Sequence, residues 1–229
     1  MRASRLIPLL AVAVLACAGT LAGARNASRS HHARHPPAAM GTRGEFDYYI
    51  MALSWSPTYC QTHPDEEDQC GHKGYGFVLH GLWPQYERGG GPERCSTREE
   101  PDRKTVSNAL AFMPSRRLIN HEWRAHGACT GLEPDQYFAL ADRAFAAVRV
   151  PPELAAPVNP LRTTSDALRR AFRRANANLS DDMFSLHCSR GALAEVRVCL
   201  DKTLAPRACG ARTASRCPAK AEFSIPAWR

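Results

Sequence analysis

Residues 46–55 read FDYYIMALSW, a run in which aromatic and aliphatic side chains dominate over the length of one strand. Ser56 and Pro57 follow it and interrupt a regular continuation. A segment of this length and composition, ended by such a pair, is typical of a strand buried inside a sheet. We therefore expect a single folded domain, residues 45–229, whose first element is this strand.

Beyond this strand, helical and extended patterns follow one another irregularly. The clearest helix is predicted over residues 135–148, where apolar side chains recur at three- and four-residue spacing. Other helices are predicted over residues 104–113, 119–126 and 164–174, and other strands over residues 75–80, 184–187 and 194–200. No strand–helix–strand unit repeats, which predicts an α+β fold with a central, mostly antiparallel sheet, helices packed around it and stabilising disulfides.

The N-terminus has the features of an export signal. Arg2 and Arg5 precede the apolar run Leu6–Ala16, which is too short to span a bilayer, and Ala22–Ala24 is a small-x-small cleavage site. These features predict a signal peptide over residues 1–24.

Export implies a periplasmic or extracellular protein, with no membrane segment in the mature form. Residues 25–44, rich in Ser, His, Pro, Arg and Gly, are predicted to be a flexible leader. A lipoprotein box at Val14–Cys17, lipidated at Cys17, is an alternative that Leu15 fits poorly.

Cysteine usage agrees with export. Cys17 would leave with the signal, and an even set remains: Cys60, Cys70, Cys95, Cys129, Cys188, Cys199, Cys209 and Cys217. Such a set behind a signal predicts a disulfide framework, although eight cysteines allow about 105 pairings. The chain contains no C-x-x-C pair, so the sequence does not suggest a zinc knuckle.

The formal charge is +8 and falls to about +6 without the signal. This balance suits a polyanionic substrate, and it is equally compatible with a simple gain in solubility.

Two short segments carry the candidate chemistry. In FVLHGLWPQY, residues 77–86, His80 ends the predicted strand beside Gly81, and Trp83 offers a flat face on which a base could stack. In HEWRAHGAC, residues 121–129, Glu122 and His126 are four apart and would share one helix face. Taken singly, each of these residues would have an ordinary structural explanation.

The second segment could be mistaken for the motif of a zinc protease. That motif has two histidines four residues apart on a helix. His121 and His126 are five apart and diverge by about 140° on an ideal helix, which disfavours a metal site.

Together, FVLHGLWP and HEWRAHGAC resemble the ribonuclease T2 family. The strand at residues 46–55 with its SPTYC continuation, Cys95 between the motifs and the four C-terminal cysteines extend the resemblance over the chain after the leader. It implies an endoribonuclease that cleaves single-stranded RNA with low base specificity through 2′,3′-cyclic phosphates. It also implies that no metal or other cofactor is required and that DNA is not cut.

The resemblance also implies roles for single residues. His126 would be the base that takes the 2′-hydroxyl proton, and His80 the acid that protonates the leaving 5′-oxygen, work that imidazoles do well near neutral pH. Glu122 and His121 would bind or polarise the phosphate, and Glu122 would tune His126. Trp83 would contact substrate.

One position departs from the family pattern. Where family members usually have lysine before the second catalytic histidine, this chain has Ala125. That lysine would stabilise the phosphorane, an electrostatic contribution of about 3 kcal/mol. Arg124 beside it, or another arginine, is the candidate replacement.

By the same resemblance, Cys60 would pair with Cys70, Cys95 with Cys129, Cys188 with Cys217 and Cys199 with Cys209. The protein would act as a monomer. Two rival functions remain: an RNA-binding homologue with impaired catalysis, favoured by Ala125 alone, and an exported metallohydrolase, disfavoured by the histidine spacing.

Overall fold

The strand predicted at residues 46–55 forms β1 (Tyr48–Trp55), an interior strand of a six-stranded sheet. The computed structural model describes residues 41–211 and 213–228, which fall in one compact unit. The predicted signal peptide, Cys17 and residues 25–40 of the predicted leader lie outside the described residues. At the end of that leader, the Gly44 N–H donates to the Cys129 carbonyl at 2.8 Å.

The sheet has the order β2-β1-β5-β6-β3, and β4 pairs with β5. Only the short β5–β6 contact is parallel among the pairs in the described chain, and all others are antiparallel. The α+β fold with a mostly antiparallel sheet is therefore confirmed. The strands after β1 are β2 (Phe77–Gln85), β3 (Leu161–Thr163), β4 (Phe184–Ser189), β5 (Ala192–Leu200) and β6 (Phe223–Ile225).

The helices begin where side chains can cap them. Asp102, Ser115 and Thr164 each accept a hydrogen bond from the backbone N–H three residues later, which satisfies a donor that has no helical partner. The helices are α1 (Ser56–Cys60), α2 (Glu67–Cys70), α3 (Arg103–Ala109), α4 (Arg116–Ala125), α5 (Pro134–Ala147) and α6 (Ser165–Ala175), with 3-10 turns at Gly127–Thr130 and Pro152–Leu154. No helix among the described residues has the length and apolarity needed to cross a membrane.

Alternate residues of β1 serve the two faces of the sheet. The helix-covered face buries the main apolar core, to which β1 contributes Tyr49, Met51, Leu53 and Trp55 and α6 contributes Leu168 and Phe172. The opposite face, called the cleft face below, carries a smaller apolar cluster of Tyr48, Ile50 and Cys199. This period of two is what lets one strand support a core and a site together.

Two sequence predictions need correction. The second strand was expected to end at Gly81, but β2 continues to Gln85. Pro84 is tolerated there because β2 lies at the sheet edge, where a missing N–H costs no ladder bond. The helix expected to reach His126 ends at Ala125.

All four disulfides expected from the resemblance are present: Cys60–Cys70, Cys95–Cys129, Cys188–Cys217 and Cys199–Cys209. Cys60–Cys70 closes the acidic loop around α2. Cys95–Cys129 ties the loop after β2 to the turn that follows α4.

Candidate active site

His80 lies at a β-bulge in β2. Leu79 pairs with Leu53 and Gly81 with Ala52, so His80 is an extra residue with no partner on β1. Without the bulge, Leu79 and Leu82 would point to opposite faces, because side chains alternate along a strand. With it, both reach the main core, and His80 lies with Trp83 on the cleft face, their rings 5.1 Å apart.

Two carboxylates contact the His80 imidazole. Its Nδ1 lies 2.6 Å from Glu195 Oε1, and its Nε2 lies 3.6 Å from Glu122 Oε1. His80 and Glu195 are on β2 and β5, two strands apart with β1 between them. Small residues on β1 leave the space, and the Ser54 hydroxyl donates to Glu195 Oε1 at 3.1 Å.

Glu122 reaches this face from α4 and is 1% exposed. The Trp83 indole N–H donates to Glu122 Oε2 at 2.7 Å. Gly81 lies beneath this contact, and a Cβ there would be 2.0 Å from the same carboxylate oxygen. Glycine at position 81 is therefore required by the close approach of Glu122 to the strand.

Arg197 closes a ring of contacts. Its Nε and Nη2 donate to Glu195 Oε2 at 2.8 and 2.6 Å, and its guanidinium lies 4.9 Å from the Trp83 ring centre. The site network, defined as His80, Trp83, Glu122, Glu195 and Arg197, thus links two strands and one helix through side chains alone.

His126 follows α4 as its C-terminal cap, with φ −132° and ψ −48°. The His126 N–H still donates to the Glu122 carbonyl at 2.9 Å, and both side chains lie next to Trp83. The Glu122 carboxylate itself pairs with His80. The His126 ring lies 5.4 Å from Trp83, and its buried Nδ1 has no hydrogen-bond partner among the described residues. Gly127 is needed for packing, since a Cβ would lie 2.7 Å from the Trp123 ring.

The two catalytic candidates have opposite pKa shifts. Burial lowers the pKa of His126 to about 3, with help from the positive charges of His121, His80 and Arg94. Burial also acts to lower the pKa of His80, but the Glu195 hydrogen bond and the Glu122 charge outweigh it, so the pKa of His80 is raised. At pH 6, His126 is neutral, and His80 favours its protonated form.

The carboxylates of Glu122 and Glu195 also have opposite pKa shifts. Burial raises the pKa of Glu122 to about 7 against the opposing charge of His80. For Glu195, burial acts in the same direction, but the hydrogen bonds and charges of His80 and Arg197 lower its pKa to about 2. Glu195 is therefore a permanent anion, whereas Glu122 titrates near neutrality.

Two cavities open on the cleft face. One, of about 530 Å³, is lined by His80, His121 and Glu195; the other, of about 470 Å³, is lined by Trp83 and His126. His187, Arg197 and Arg216 line both. The cavities are therefore neighbours that meet at these three residues.

The remaining predicted residues divide in two. His121 is exposed and lines the cavity that contains His80. Arg124 lines neither cavity; its guanidinium forms two hydrogen bonds with Glu100 at 2.9 and 3.2 Å on the exposed side of α4.

Sequence reasoning missed Glu195, Arg197 and His187. A signal for the first two exists in β5, which reads ALAEVRVCL: two charged side chains at alternate positions of an apolar strand must share one face. His187 carries no comparable signal.

A protein-family sequence model, described as "Ribonuclease T2 family", matches residues 46–209 of this chain. A protein named "Ribonuclease" from Aeromonas hydrophila is 52% identical over 103 residues, which cover 45% of this chain and 46% of that protein. The chain spans about half the length of the curated relatives it matches.

Solved structures share the fold. An RNase-related protein from Calystegia sepium superposes with a TM-score of 0.66 at 24% identity, over 81% of this chain and 99% of the other. RNase NT, solved in complex with 5′-AMP, gives 0.56 at 22%, over 80% and 100%.

Proposed function

Because the chain belongs to the ribonuclease T2 family, we propose that it is an endoribonuclease that cleaves single-stranded RNA with low base specificity. The observation that carries this proposal concerns His80 and His126. Their imidazoles both lie close to the Trp83 indole and have opposite pKa shifts. At the same pH, one is protonated and can donate a proton, and the other is neutral and can accept one.

In the proposed first step, neutral His126 takes the 2′-hydroxyl proton and the 2′-oxygen attacks phosphorus. The bond from phosphorus to the 5′-oxygen breaks, and His80 protonates that oxygen. A 2′,3′-cyclic phosphate remains. In the second step the roles reverse: His80 takes a proton from water, the water oxygen attacks phosphorus, and His126 protonates the departing 2′-oxygen, which leaves a 3′-phosphate.

Glu122 and His121 are proposed to hold the phosphate. A carboxyl with a pKa of about 7 is partly protonated near neutral pH, and its O–H can then donate to a phosphate oxygen. His121 faces the same cavity as His80. The predicted substrate contacts of Arg124 and of the Trp83 ring stay predictions: Arg124 is paired with Glu100, and Trp83 lies against Arg197.

The decisive assay uses an oligodeoxynucleotide with one ribose, incubated with chelator present. We expect one cut, at the ribose, because only that residue carries a 2′-hydroxyl. A His80→Ala protein serves as the inactive control. Cutting of the all-DNA strand, or loss of activity in chelator, would point to a metallohydrolase and contradict the proposal.

The second candidate is an RNA-binding homologue with impaired catalysis, which Ala125 favours. It predicts RNA binding without cleavage, and Ala125→Lys would then restore cleavage. We further propose that the protein is exported to the periplasm or beyond, in line with its four disulfides. We also propose that it acts as a monomer.

A further inference from the structure

Phosphodiester transfer concentrates negative charge on the oxygens around phosphorus in the transition state. A cation that is already oriented towards this charge accelerates the reaction, because no reorganisation is needed at the moment of bond making. Positions 124 and 125 beside His126 supply no such cation, since Arg124 is paired with Glu100 and Ala125 has no charge. Another arginine of the cleft face is better placed.

We propose that Arg197 is a catalytic residue whose guanidinium binds the reacting phosphate, and that Glu195 is the positioning residue that aims it. This inference rests on the proposed ribonuclease function. Nothing in the two short motifs points to either residue, since both belong to β5.

Position is the first support. Arg197 lines both cavities, whereas His80 lines one and His126 the other. An RNA strand that occupies both cavities crosses their junction, which Arg197 lines together with His187 and Arg216, between the proposed acid and the proposed base. The scissile phosphate belongs at this crossing, because both imidazoles must reach it.

Orientation is the second support. Nε and Nη2 of Arg197 are held by Glu195, and the guanidinium lies against Trp83. Nη1 forms no hydrogen bond within residues 41–211 and 213–228, and the side chain is 27% exposed. Two sides of the guanidinium are thus fixed, and the remaining nitrogen is available to a ligand.

Charge is the third support. Glu195 does not cancel Arg197, because the same carboxylate also holds His80 through its other oxygen. At pH 6, with His80 protonated and Glu122 mostly neutral because its pKa is about 7, the site network carries a net charge of +1 towards the cleft. The other arginine at the junction of the cavities, Arg216, is exposed and lacks a comparable clamp.

The test compares Arg197→Met with a closely matched control. Arg207 also lies over an aromatic ring, Tyr48 at 4.8 Å, also pairs with a glutamate, Glu87 at 2.6 Å, and is 30% exposed, but it lines neither cavity. Each protein is assayed at pH 6 for kcat on a dinucleoside monophosphate. The Kd of the 2′-deoxy analogue and the inhibition constant of a uridine–vanadate complex, which mimics the phosphorane, are also measured.

For Arg197→Met we expect kcat to fall about 100- to 1,000-fold, as when one oxyanion donor is lost. Affinity for uridine–vanadate should fall in parallel, and affinity for the 2′-deoxy analogue by less than about 10-fold, because the contact strengthens in the transition state. Arg207→Met should resemble wild type in all three. Unchanged kcat in Arg197→Met, or equal losses for analogue and vanadate, would overturn the inference.

Chemical rescue separates catalysis from folding. Arg197→Ala leaves a space that free guanidinium ion fits, and kcat should rise saturably with guanidinium but not with urea, which is neutral and similar in shape. Absence of rescue in a folded protein would contradict the proposal. If wild type itself fails to cleave RNA, both the function and this inference fail; if wild type cleaves and Arg197→Met equals it, only this inference fails.

Discussion

The two faces of the sheet are built from the same strands and differ in what they bury. On the helix-covered face, Met51, Leu53 and Phe172 are at most 1% exposed and belong to the main apolar core. On the cleft face, His80 and Arg197 share one carboxylate, Glu195. Apolar burial stabilises the first face, whereas the second keeps charges close together in a partly open cleft. Stability and chemistry should therefore be separable by mutation, face by face.

The largest difference between loss of activity and loss of stability is expected for variants of the two histidines, His80 and His126. His80→Ala and His126→Ala should each lower kcat/KM about 100- to 10,000-fold, because each removes one proton-transfer group. Thermal midpoints should change little, since neither ring belongs to the main core. Rates on RNA and unfolding curves, with the exposed His72→Ala as control, provide the check. A variant that keeps more than a tenth of wild-type activity would remove that histidine from the mechanism.

The converse change is Phe172→Ala on the helix-covered face. Phe172 is fully buried and its ring lies 6.0 Å from that of Phe184. The cavity left behind should lower the free energy of unfolding by about 3–5 kcal/mol. Activity per folded molecule should stay at the wild-type level. Denaturant unfolding and active-site titration measure the two quantities, and a large loss of specific activity would show that the faces are coupled.

A variant of His187 can test whether a buried titratable group on the cleft face lowers the free energy of unfolding at acidic pH. Burial, together with Arg197 and Arg216, lowers the pKa of His187 to about 4, so the folded protein keeps it neutral while the unfolded chain protonates it near pH 6.5. Its contribution to stability is therefore lost as pH falls from about 6.5 to about 4.

His187→Asn can preserve the hydrogen bond with Ser185 and does not titrate. Its unfolding free energy should fall between pH 7 and pH 4 by about 1–3 kcal/mol less than that of wild type. Parallel pH curves for the two proteins would rule out this origin. His126 and Glu122 also titrate in this range, but they are common to both proteins.

Glu195→Gln should shift the pH dependence of activity, apart from any fall in kcat that follows from the proposed role of Glu195 in positioning Arg197. Loss of this carboxylate removes a hydrogen bond and a charge that raise the pKa of His80. His80 must be protonated to act as the acid, so activity is present below its pKa and lost above it. The alkaline limb of kcat/KM should therefore move to lower pH. Ser54→Ala, which removes only the hydroxyl bonded to the same carboxylate, should leave the limb nearly in place.

Much of the fold could be predicted because single segments carried it. The run at residues 46–55 is apolar enough to identify β1 without tertiary information. The end of β2 could not be placed, because Gly81 and Pro84 read as breakers until the edge position of the strand and the approach of Glu122 are known. The disulfide pairing followed from family resemblance and not from spacing.

Only part of the candidate site could be predicted from the sequence. His80, Glu122 and His126 stand in recognisable motifs, and the structure brings them together around Trp83. The pairing of Glu122 with His80 was not predicted, because it joins a helix to a strand that is distant in the sequence. Glu195 and Arg197 depend on β5 lying next to β1, a long-range pairing that no local pattern contains.

The bulge in β2 also has a consequence for how such a gene can change. Leu79 and Gly81 are already in register with neighbouring residues of β1, so loss of residue 80 alone would join two halves of β2 that are correctly paired. Every apolar side chain of the strand would keep its face. His80 is thus a surplus residue in a strand that is complete without it. Under the proposed mechanism, deletion of this single codon would yield a protein of the same architecture without the proposed activity, whereas most other routes to inactivity pass through an unfolded form.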